Sequence, residues 1–158
     1  MAEEQLTIDV PVLRRAAMDF LARREHSQRE LQDKLTRRYP DAEPQLREQV
    51  IAELAAEGLQ SDARFTEAWI RYRKSKGFGY RHIRGDLESR GLSAAVIEQY
   101  LFADDEDWQE MACSLVNRKL KSDSLKFGGK EHRRLLRFLQ SRGFAHGEIR
   151  QSLQPYLK

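Results

Sequence analysis

The side chains best suited to chemistry in this sequence are guanidinium and ammonium groups crowded into its middle. Between Arg64 and Gly91, eight basic residues stand against three acidic ones, so this stretch carries +5 while the whole chain carries +3. Such a concentration of charge in a nearly neutral protein is typical of a surface that binds a polyanion or an acidic protein. The predicted binding residues are Arg64, Arg71, Arg73, Lys74, Lys76, Tyr80, Arg81, Arg84 and Arg90.

Residues that could catalyse a reaction or hold a metal do not form a recognisable pattern. The four histidines are scattered, none at a metal-like spacing from another, and we expect them to be exposed helix residues: His26, His82, His132 and His146. The glycines of Gly77-Phe78-Gly79 lack the preceding strand and the full glycine pattern of a phosphate loop. We therefore predict no catalytic residue, no metal, no cofactor and no enzymatic activity.

The single cysteine and the absence of long apolar runs set further bounds. One cysteine excludes an internal disulfide and cysteine-based zinc modules, and its apolar helical neighbours predict that Cys113 is a buried structural thiol. The acidic N-terminus lacks the apolar run of a signal peptide, so we expect none, and there is no 18-residue apolar stretch. We expect a cytoplasmic protein that does not contact membranes, and a monomer because no coiled-coil seam is apparent.

The elements that position the basic residues are helices. Apolar residues recur at spacings of three and four, without the period-two alternation of strands. Asp9 and Pro11 resemble a helix start, Ser27-Gln28-Arg29-Glu30 has the pattern of a capping box, and Pro40 and Pro44 bracket a linker. The prediction is an all-α protein.

A repeat of 52 residues organises these helices. Ile83, Leu87, Gly91 and Ile97 recur at this offset, as Leu135, Leu139, Gly143 and Ile149 in the same order. Helix endings of the form Gly58-Leu59, Gly91-Leu92 and Gly143-Phe144 predict a left-handed glycine followed by an apolar residue that folds back on the helix. The predicted architecture is three tandem three-helix repeats, helix-turn-helix-like units stacked into an elongated, curved molecule. We assign residues 1–8 to a flexible tail, 9–58 to the first segment, 59–103 to the second and 104–158 to the third.

Charge alternates along the same repeat. Residues 14–38, 64–91 and 117–142 carry +4, +5 and +7, whereas 41–62 and 98–110 carry −5 and −6. Any one run is explained by a solvated face with salt bridges. Three basic runs in register favour a continuous basic surface.

The aromatic residues of the second segment allow two interpretations. Phe65, Trp69 and Tyr72 lie at helical spacings that favour core packing. Phe78 and Tyr80 flank turn glycines between basic helices, so they either pack between helices or stack on the bases of a single strand.

At these residues the chain resembles the RecX family, regulators of the RecA recombinase. The resemblance runs from Leu59 through Phe65, over Gly77-Phe78-Gly79-Tyr80-Arg81, and on to Ile83, Leu87 and Arg90-Gly91; a weaker match covers Ser27, Glu30, Leu31, Lys34 and Leu35. The family pattern has an acidic pair where this chain has Ser61-Asp62, and commonly Lys where it has Arg90. The second-segment motif is long and specific.

The resemblance implies a non-enzymatic modulator, usually an inhibitor, acting in homologous recombination, DNA repair and the SOS response. Such proteins bind in the groove of RecA–single-stranded-DNA filaments and limit filament growth, strand exchange and coprotease activity. The implied partners are the RecA filament and single-stranded DNA, contacted directly or through the filament.

A direct DNA-binding regulator of transcription is the alternative, because each three-helix unit superficially fits a helix-turn-helix. Its recognition helix would be the third of a unit. Residues 43–57 and 93–103 are acidic or neutral and would meet phosphates poorly, which argues against this alternative. A helical scaffold that touches no nucleic acid is a further possibility, distinguished by binding that depends little on salt.

Overall fold

The computed structural model describes residues 7–158, and in that range the chain is helical, as predicted. The helices of the first segment are α1 (Val10–Arg23), α2 (Gln28–Arg38) and α3 (Pro44–Ala56). Those of the second are α4 (Asp62–Ser75), α5 (Tyr80–Ser89) and α6 (Ala94–Tyr100). Those of the third are α7 (Asp107–Lys119), α8 (Lys130–Ser141) and α9 (His146–Leu153), followed by the short 3₁₀ helix Gln154–Tyr156. Extended pairing in the described range is limited to an isolated bridge between Leu125 and Leu157.

Local sequence signals account for the helix starts. The Asp9 carboxylate accepts a hydrogen bond from the Val12 amide at 3.2 Å, and α3 begins at Pro44, whose missing N–H costs nothing in a first turn. At α2 the Ser27 hydroxyl accepts from the Glu30 amide at 3.1 Å, while the Glu30 carboxylate accepts from the Ser27 amide at 3.2 Å. The predicted capping box is therefore confirmed.

Glycines end the helices in the left-handed conformation. The φ angles are +75° at Gly58, +87° at Gly91 and +92° at Gly143, as the helix endings predict, and Gly77 ends α4 in the same way at +84°. The residue after the glycine folds back and is buried at Leu92 and Phe144. At Leu59 this prediction is wrong.

Leu59 is 41% exposed, and the next residue, Gln60, is buried instead. The Gln60 amide nitrogen donates to the carbonyl of His26 at 3.1 Å and to the Asp62 carboxylate at 2.9 Å. These bonds satisfy the amide nitrogen of Gln60 inside the protein, whereas its Oε1 is buried without a hydrogen-bond partner.

Two compact units make up the described chain, and each combines parts of different segments. The first contains the residues up to Ala68 together with Arg90–Val96, and the second contains Trp69–Ser89 together with Ile97–Lys158. In the first unit, α1, α2 and α3 bury an apolar core, and half-buried Ile8 packs against it. In the second, α7, α8 and α9 bury another. The tail assigned to residues 1–8 lies largely outside the described residues.

Each unit contains one contact between helix ends that unites neighbouring segments. We call these contacts the helix-end junctions. In the first, Ser27 at the start of α2 donates its hydroxyl to the carbonyl of Arg90, which follows α5, at 3.1 Å. In the second, the Gly79 amide before α5 donates to the carbonyl of Arg142, which follows α8, at 2.6 Å, and the Arg81 amide donates to Gly143 at 3.1 Å. The two junctions occupy equivalent repeat positions, since both partners shift by 52 residues.

The second junction depends on backbone approaching backbone. A Cβ at Gly79 would lie 2.8 Å from the carbonyl carbon and oxygen of Gly143 and 2.9 Å from the Phe144 nitrogen. Real Cβ atoms do not approach backbone this closely, so any side chain at Gly79 would push the helix ends apart.

The first junction is reinforced by charge. The Glu30 carboxylate accepts from Arg90 at 2.6 Å and from Arg24 at 3.0 and 3.1 Å. Burial acts to raise the pKa of Glu30, but the hydrogen bonds from Arg24 and the Ser27 amide, with the nearby guanidinium charges, lower it on balance. A charged carboxylate thus anchors both ends of the junction.

We expect Gly79→Ala to destabilise the protein by about 1–3 kcal/mol, because the added methyl group overpacks the second junction. The matched control is Gly85→Ala in the middle of α5, where a Cβ would meet nothing within 4 Å. Removing a helical glycine there should stabilise the protein by up to about 1 kcal/mol. Thermal unfolding followed by circular dichroism should shift in opposite directions for the two variants, and an unchanged midpoint for Gly79→Ala would contradict the junction's role.

The hydrogen-bond partners of the buried His26 ring determine its protonation state. Its Nδ1 lies 3.0 Å from the carbonyl of Arg24 and its Nε2 lies 2.8 Å from the Lys34 ammonium. The carbonyl can only accept and the ammonium can only donate, so these partners assign a neutral ring with its proton on Nδ1. Burial, with the charges of Arg24 and Lys34, lowers the pKa of His26. His82 also has a lowered pKa, caused by burial and by Arg73 and Arg142.

Because the folded protein favours neutral imidazole, the two histidines contribute stability that is fully present above the ordinary histidine pKa of about 6.5. This stability is lost progressively as the pH falls below that value and through the lower pKa of the folded state. The free energy of unfolding in urea should be lower at about pH 5.5 than at about pH 7.5. Glu30 remains charged across this window because its pKa is lowered. His26→Gln should reduce the decrease without abolishing it, since His82 remains; an undiminished decrease would exclude His26 as a cause.

Candidate functional site

Arg64 and Arg90, the outermost of the predicted binding residues, are engaged within the first unit. The Arg64 guanidinium lies 3.1 Å from the Glu25 carboxylate and donates to the Gly58 carbonyl at 2.7 Å. Arg90 is bound to Glu30 in the first junction. These two guanidinium groups therefore stabilise the fold, whatever else they contact.

Arg73 and Lys74 are engaged within the second unit. The Arg73 guanidinium lies 3.5 Å from the Asp86 carboxylate. Lys74 donates to Asp105 at 2.7 Å and to Asp107 at 3.0 Å. Burial acts to lower the pKa of Lys74, but its hydrogen bonds to the two carboxylates raise it on balance, so the ammonium is held in its charged form.

Tyr80 and Arg84 form one cluster on α5. The Arg84 guanidinium donates to the Tyr80 hydroxyl at 2.9 Å, to Glu88 at 3.0 Å and to Glu98 at 3.3 Å. The Tyr80 ring meets the buried ring of Trp108 edge-on at 6.3 Å between centroids. Tyr80 thus packs between helices.

Arg71, Lys76 and Arg81 complete the predicted set and are exposed. No carboxylate of the described residues lies within salt-bridge distance of any of the three. Arg71 lies on α4 and Lys76 directly follows its last residue. Because the two are five residues apart, they point in different directions around the helix axis. The cationic groups of the second segment that remain available to a partner are therefore few and separated.

Phe78 follows the packing interpretation rather than the stacking one. Its ring centroid lies 4.2 Å from the Arg73 guanidinium and 4.5 Å from that of Arg142, and it stacks on His82 at 4.2 Å. These contacts occupy the ring inside the second unit. Tyr72, expected in the core, is instead 49% exposed, because the buried face of α4 is formed by Phe65, Thr66 and Ile70 and Tyr72 lies beyond Phe65 at its edge.

Two predictions about reactive side chains are wrong. Cys113 is exposed, because α7 buries Trp108, Ala112, Leu115 and Val116, and the next residue after Ala112 points about 100° away. His26 and His132 are buried rather than exposed. The ring nitrogen Nδ1 of His132 lies 3.0 Å from the Gly128 amide, which explains its inward position. The described residues include no cluster of side chains able to hold a metal ion.

The third segment carries exposed cations that the predicted set omits. Lys126, Lys130, Arg133 and Arg137 are all exposed, and none lies within salt-bridge distance of a carboxylate among residues 7–158. Beside them Phe127 is 75% exposed, more than any other large apolar side chain in that range. The signal that could have revealed this surface is the +7 charge of residues 117–142, the highest of the three basic runs.

An apolar groove of about 620 Å³ adjoins this surface in the second unit. Phe127 and Leu136 line it together with Ile149, Leu153 and Leu157.

Among the described residues, no helix has the length and apolar character required to cross a membrane.

Comparison with known proteins agrees with the repeat. Models of the first, second and third three-helix domains of RecX match residues 14–54, 61–101 and 105–153. The chain is 42% identical over 140 residues to the Regulatory protein RecX of Pseudomonas savastanoi pv. phaseolicola, covering 88% of each chain. It is 43% identical over 138 residues to that of Pseudomonas putida strain GB-1, covering 87% of this chain and 86% of the relative.

Solved structures share the fold. The crystal structure of RecX from Lactobacillus salivarius superposes with a TM-score of 0.70 at 21% identity, covering 96% of this chain and 98% of that one. Another crystal structure of a regulatory protein RecX gives a TM-score of 0.69 at 16% identity, covering 92% and 73%. The three matched domains in tandem and the identity to these relatives show that this chain belongs to the RecX family.

Proposed function

We propose that this chain regulates the RecA recombinase without catalysing a reaction itself. The observation that carries the proposal is the tandem match of all three RecX domains, supported by curated relatives named Regulatory protein RecX. The regulator would bind as a cytoplasmic monomer in the groove of the RecA–single-stranded-DNA filament. There it would limit filament growth, strand exchange and coprotease activity.

The described surface supports binding rather than chemistry. The carboxylates of Asp105, Asp107, Glu88 and Glu98 face lysine or arginine side chains of the same chain, which supports a role in surface electrostatics. Exposed cations remain at Arg71, Lys76 and Arg81 for contact with the filament. Many modest contacts along a repeating lattice can add up to firm binding.

Direct regulation of transcription receives less support. The third helices of the first two segments, α3 and α6, are poorly suited to read DNA: α3 places Arg47 inward, where it donates to the Ala42 carbonyl at 2.7 Å. In α6 the charged side chain is the Glu98 carboxylate, which pairs with Arg84 and would repel a phosphate. Neither helix presents the cationic surface that a phosphate backbone requires.

The test is RecA's ATP hydrolysis on circular single-stranded DNA, with this protein added far below the RecA concentration. We expect strong inhibition at such ratios, because a regulator acting on filament ends or on the lattice need not coat the DNA. Inhibition only at DNA-coating concentrations would mean competition for the strand. No effect at any ratio would contradict the proposed function.

The variant Arg71→Glu, Lys76→Glu, Arg81→Glu should require about tenfold more protein for half-inhibition, since three lost contacts of modest strength amount to roughly 1.4 kcal/mol. Its helical circular dichroism should be unchanged because the three side chains are exposed. The variant Arg71→Lys, Lys76→Arg, Arg81→Lys keeps the charge and should inhibit normally. An equal loss in Arg15→Glu, Arg23→Glu, Arg37→Glu, which changes the same charge in the first segment, would assign the effect to total charge instead.

A further inference from the structure

The apolar groove of the second unit lies between α8 and α9. His132 and Leu136, four residues apart on α8, line it from one helix. Ile149 and Leu153, four residues apart on α9, line it from the other, so each helix turns one stripe of side chains toward the groove. Phe127, from the loop before α8, also lines the groove and is 75% exposed. The volume of about 620 Å³ is in the range typical of small-molecule sites, and the apolar wall remains uncovered.

Hydrogen bonds fix the part of the groove that follows α9. Leu157 lines the groove and forms a bridge with Leu125, which is buried. The Leu125 amide donates to the carbonyl of Tyr156 at 2.7 Å, and its carbonyl accepts from the Lys158 amide at 3.1 Å. The groove is therefore formed before any ligand binds, as small-molecule sites usually are.

His132 places a hydrogen-bond donor in this groove. The residue is 5% exposed, and its Nδ1 accepts from the Gly128 amide at 3.0 Å. Because an amide can only donate, Nδ1 carries no proton and the ring proton is on Nε2. No group among residues 7–158 accepts a hydrogen bond from Nε2. A buried donor without a partner is unfavourable, so an acceptor brought by a ligand would be stabilised here.

The charged side chains that line the groove are cations. Arg150 and Lys158 are both exposed, and neither lies within salt-bridge distance of a carboxylate among the residues that the structure describes. The acids of α8 and α9, Glu131 and Glu148, accept hydrogen bonds from backbone amides at 2.7 and 2.9 Å and do not line the groove. The groove thus combines apolar walls with positive charge and no negative side chain, which favours an anion with an apolar body.

We propose that this groove binds a small carboxylic acid with an apolar body, in its ionised form. The hydrocarbon part packs against Phe127, Leu136 and Leu153, which removes apolar surface from water. The carboxylate accepts from Nε2 of His132 and is attracted by Arg150, since hydrogen bonds to a charged acceptor are the stronger ones. Neither RecA nor DNA takes part, so this site goes beyond the proposed function.

The groove suits this class of ligand better than a protein or a phosphate. A stable protein interface takes about 20–30 residues from each partner, more than line this groove. Inorganic phosphate would satisfy the positive charge, but it has no apolar part to cover the exposed Phe127 ring.

Titration of the isotope-labelled full-length chain with sodium octanoate, followed by NMR, tests the site. We expect a dissociation constant of about 1 mM or below, which is usual for a ligand of this size. The Gly128 amide, which bonds His132, should shift, and octanoate protons should show nuclear Overhauser effects to Phe127 and Leu136. Hexanoate should bind about tenfold more weakly, because two fewer methylene groups are buried. Octan-1-ol, which has no charge, should bind about fivefold more weakly.

Arg150→Gln should weaken octanoate binding about fivefold and leave octan-1-ol binding unchanged, because only a charge is lost. The matched control is Arg137→Gln, since Arg137 is also an exposed arginine of the third segment but does not line the groove. Its affinity for octanoate should equal that of the unmodified chain. In the unmodified chain the proton on Nε2 of His132 should move downfield with octanoate and less with octan-1-ol, a readout that depends on no variant.

Absence of chemical-shift changes at about 10 mM octanoate would overturn the proposal. Equal affinity for octanoate and octan-1-ol would also overturn it, by leaving an apolar groove without an anion site. An equal loss in Arg137→Gln would assign the effect to total charge, and tighter binding of inorganic phosphate would assign the groove to phosphate instead. Because RecA is absent from every titration, these outcomes are independent of the RecA inhibition test.

Discussion

The close approach of one helix end to another is the constraint on which this fold depends. At the second junction the Gly79 amide meets the carbonyl of Arg142, and the backbones lie so near that no Cβ fits between them. At the first junction the Ser27 hydroxyl meets the carbonyl of Arg90 and the Glu30 carboxylate holds its guanidinium. The same contact between helix ends thus occurs twice. The second junction forms it with a glycine and backbone groups, and the first with a capping serine and an ion pair. Because the orphan carbonyls of a helix end need partners, each junction satisfies them with the start of a neighbouring helix.

The junctions also explain why the compact units do not coincide with the sequence repeats. Residues 79–81 at the start of α5 join Arg142 and Gly143, while Arg90 after its end joins Ser27 and Glu30. The second segment therefore contributes to both units: Arg90–Val96 belong to the first, and Trp69–Ser89 belong to the second. Small helical units that cannot bury enough apolar surface alone are expected to share it with their neighbours.

Intramolecular pairing redistributes the charge that is available to partners. The second segment is rich in arginine and lysine, but Arg73, Lys74 and Arg84 form ion pairs with carboxylates of the chain. The third segment pairs fewer of its cations, and Arg133 and Arg137 remain exposed on one stripe. Half-exposed ion pairs contribute only about 0–1 kcal/mol each, so a polyanion could still compete for the paired groups. The unpaired stripe, by contrast, offers its charges at no cost in broken ion pairs.

The helices, the capping box at Ser27, the left-handed glycines at 91 and 143, the repeat and the family could all be predicted, because they depend on neighbours a few residues away or on a long motif. Which charges are free and which side chains are buried depends instead on contacts between distant residues. Lys74 binds carboxylates 31 and 33 residues away, and Arg90 binds one 60 residues away. No local spacing encodes such partners. The burial of His26 escaped prediction because this residue lies between α1 and α2, where its ring contacts the Arg24 carbonyl and Lys34. Cys113 was expected inside because of its apolar neighbours, but it follows the buried Ala112 and therefore points away from the buried stripe of α7.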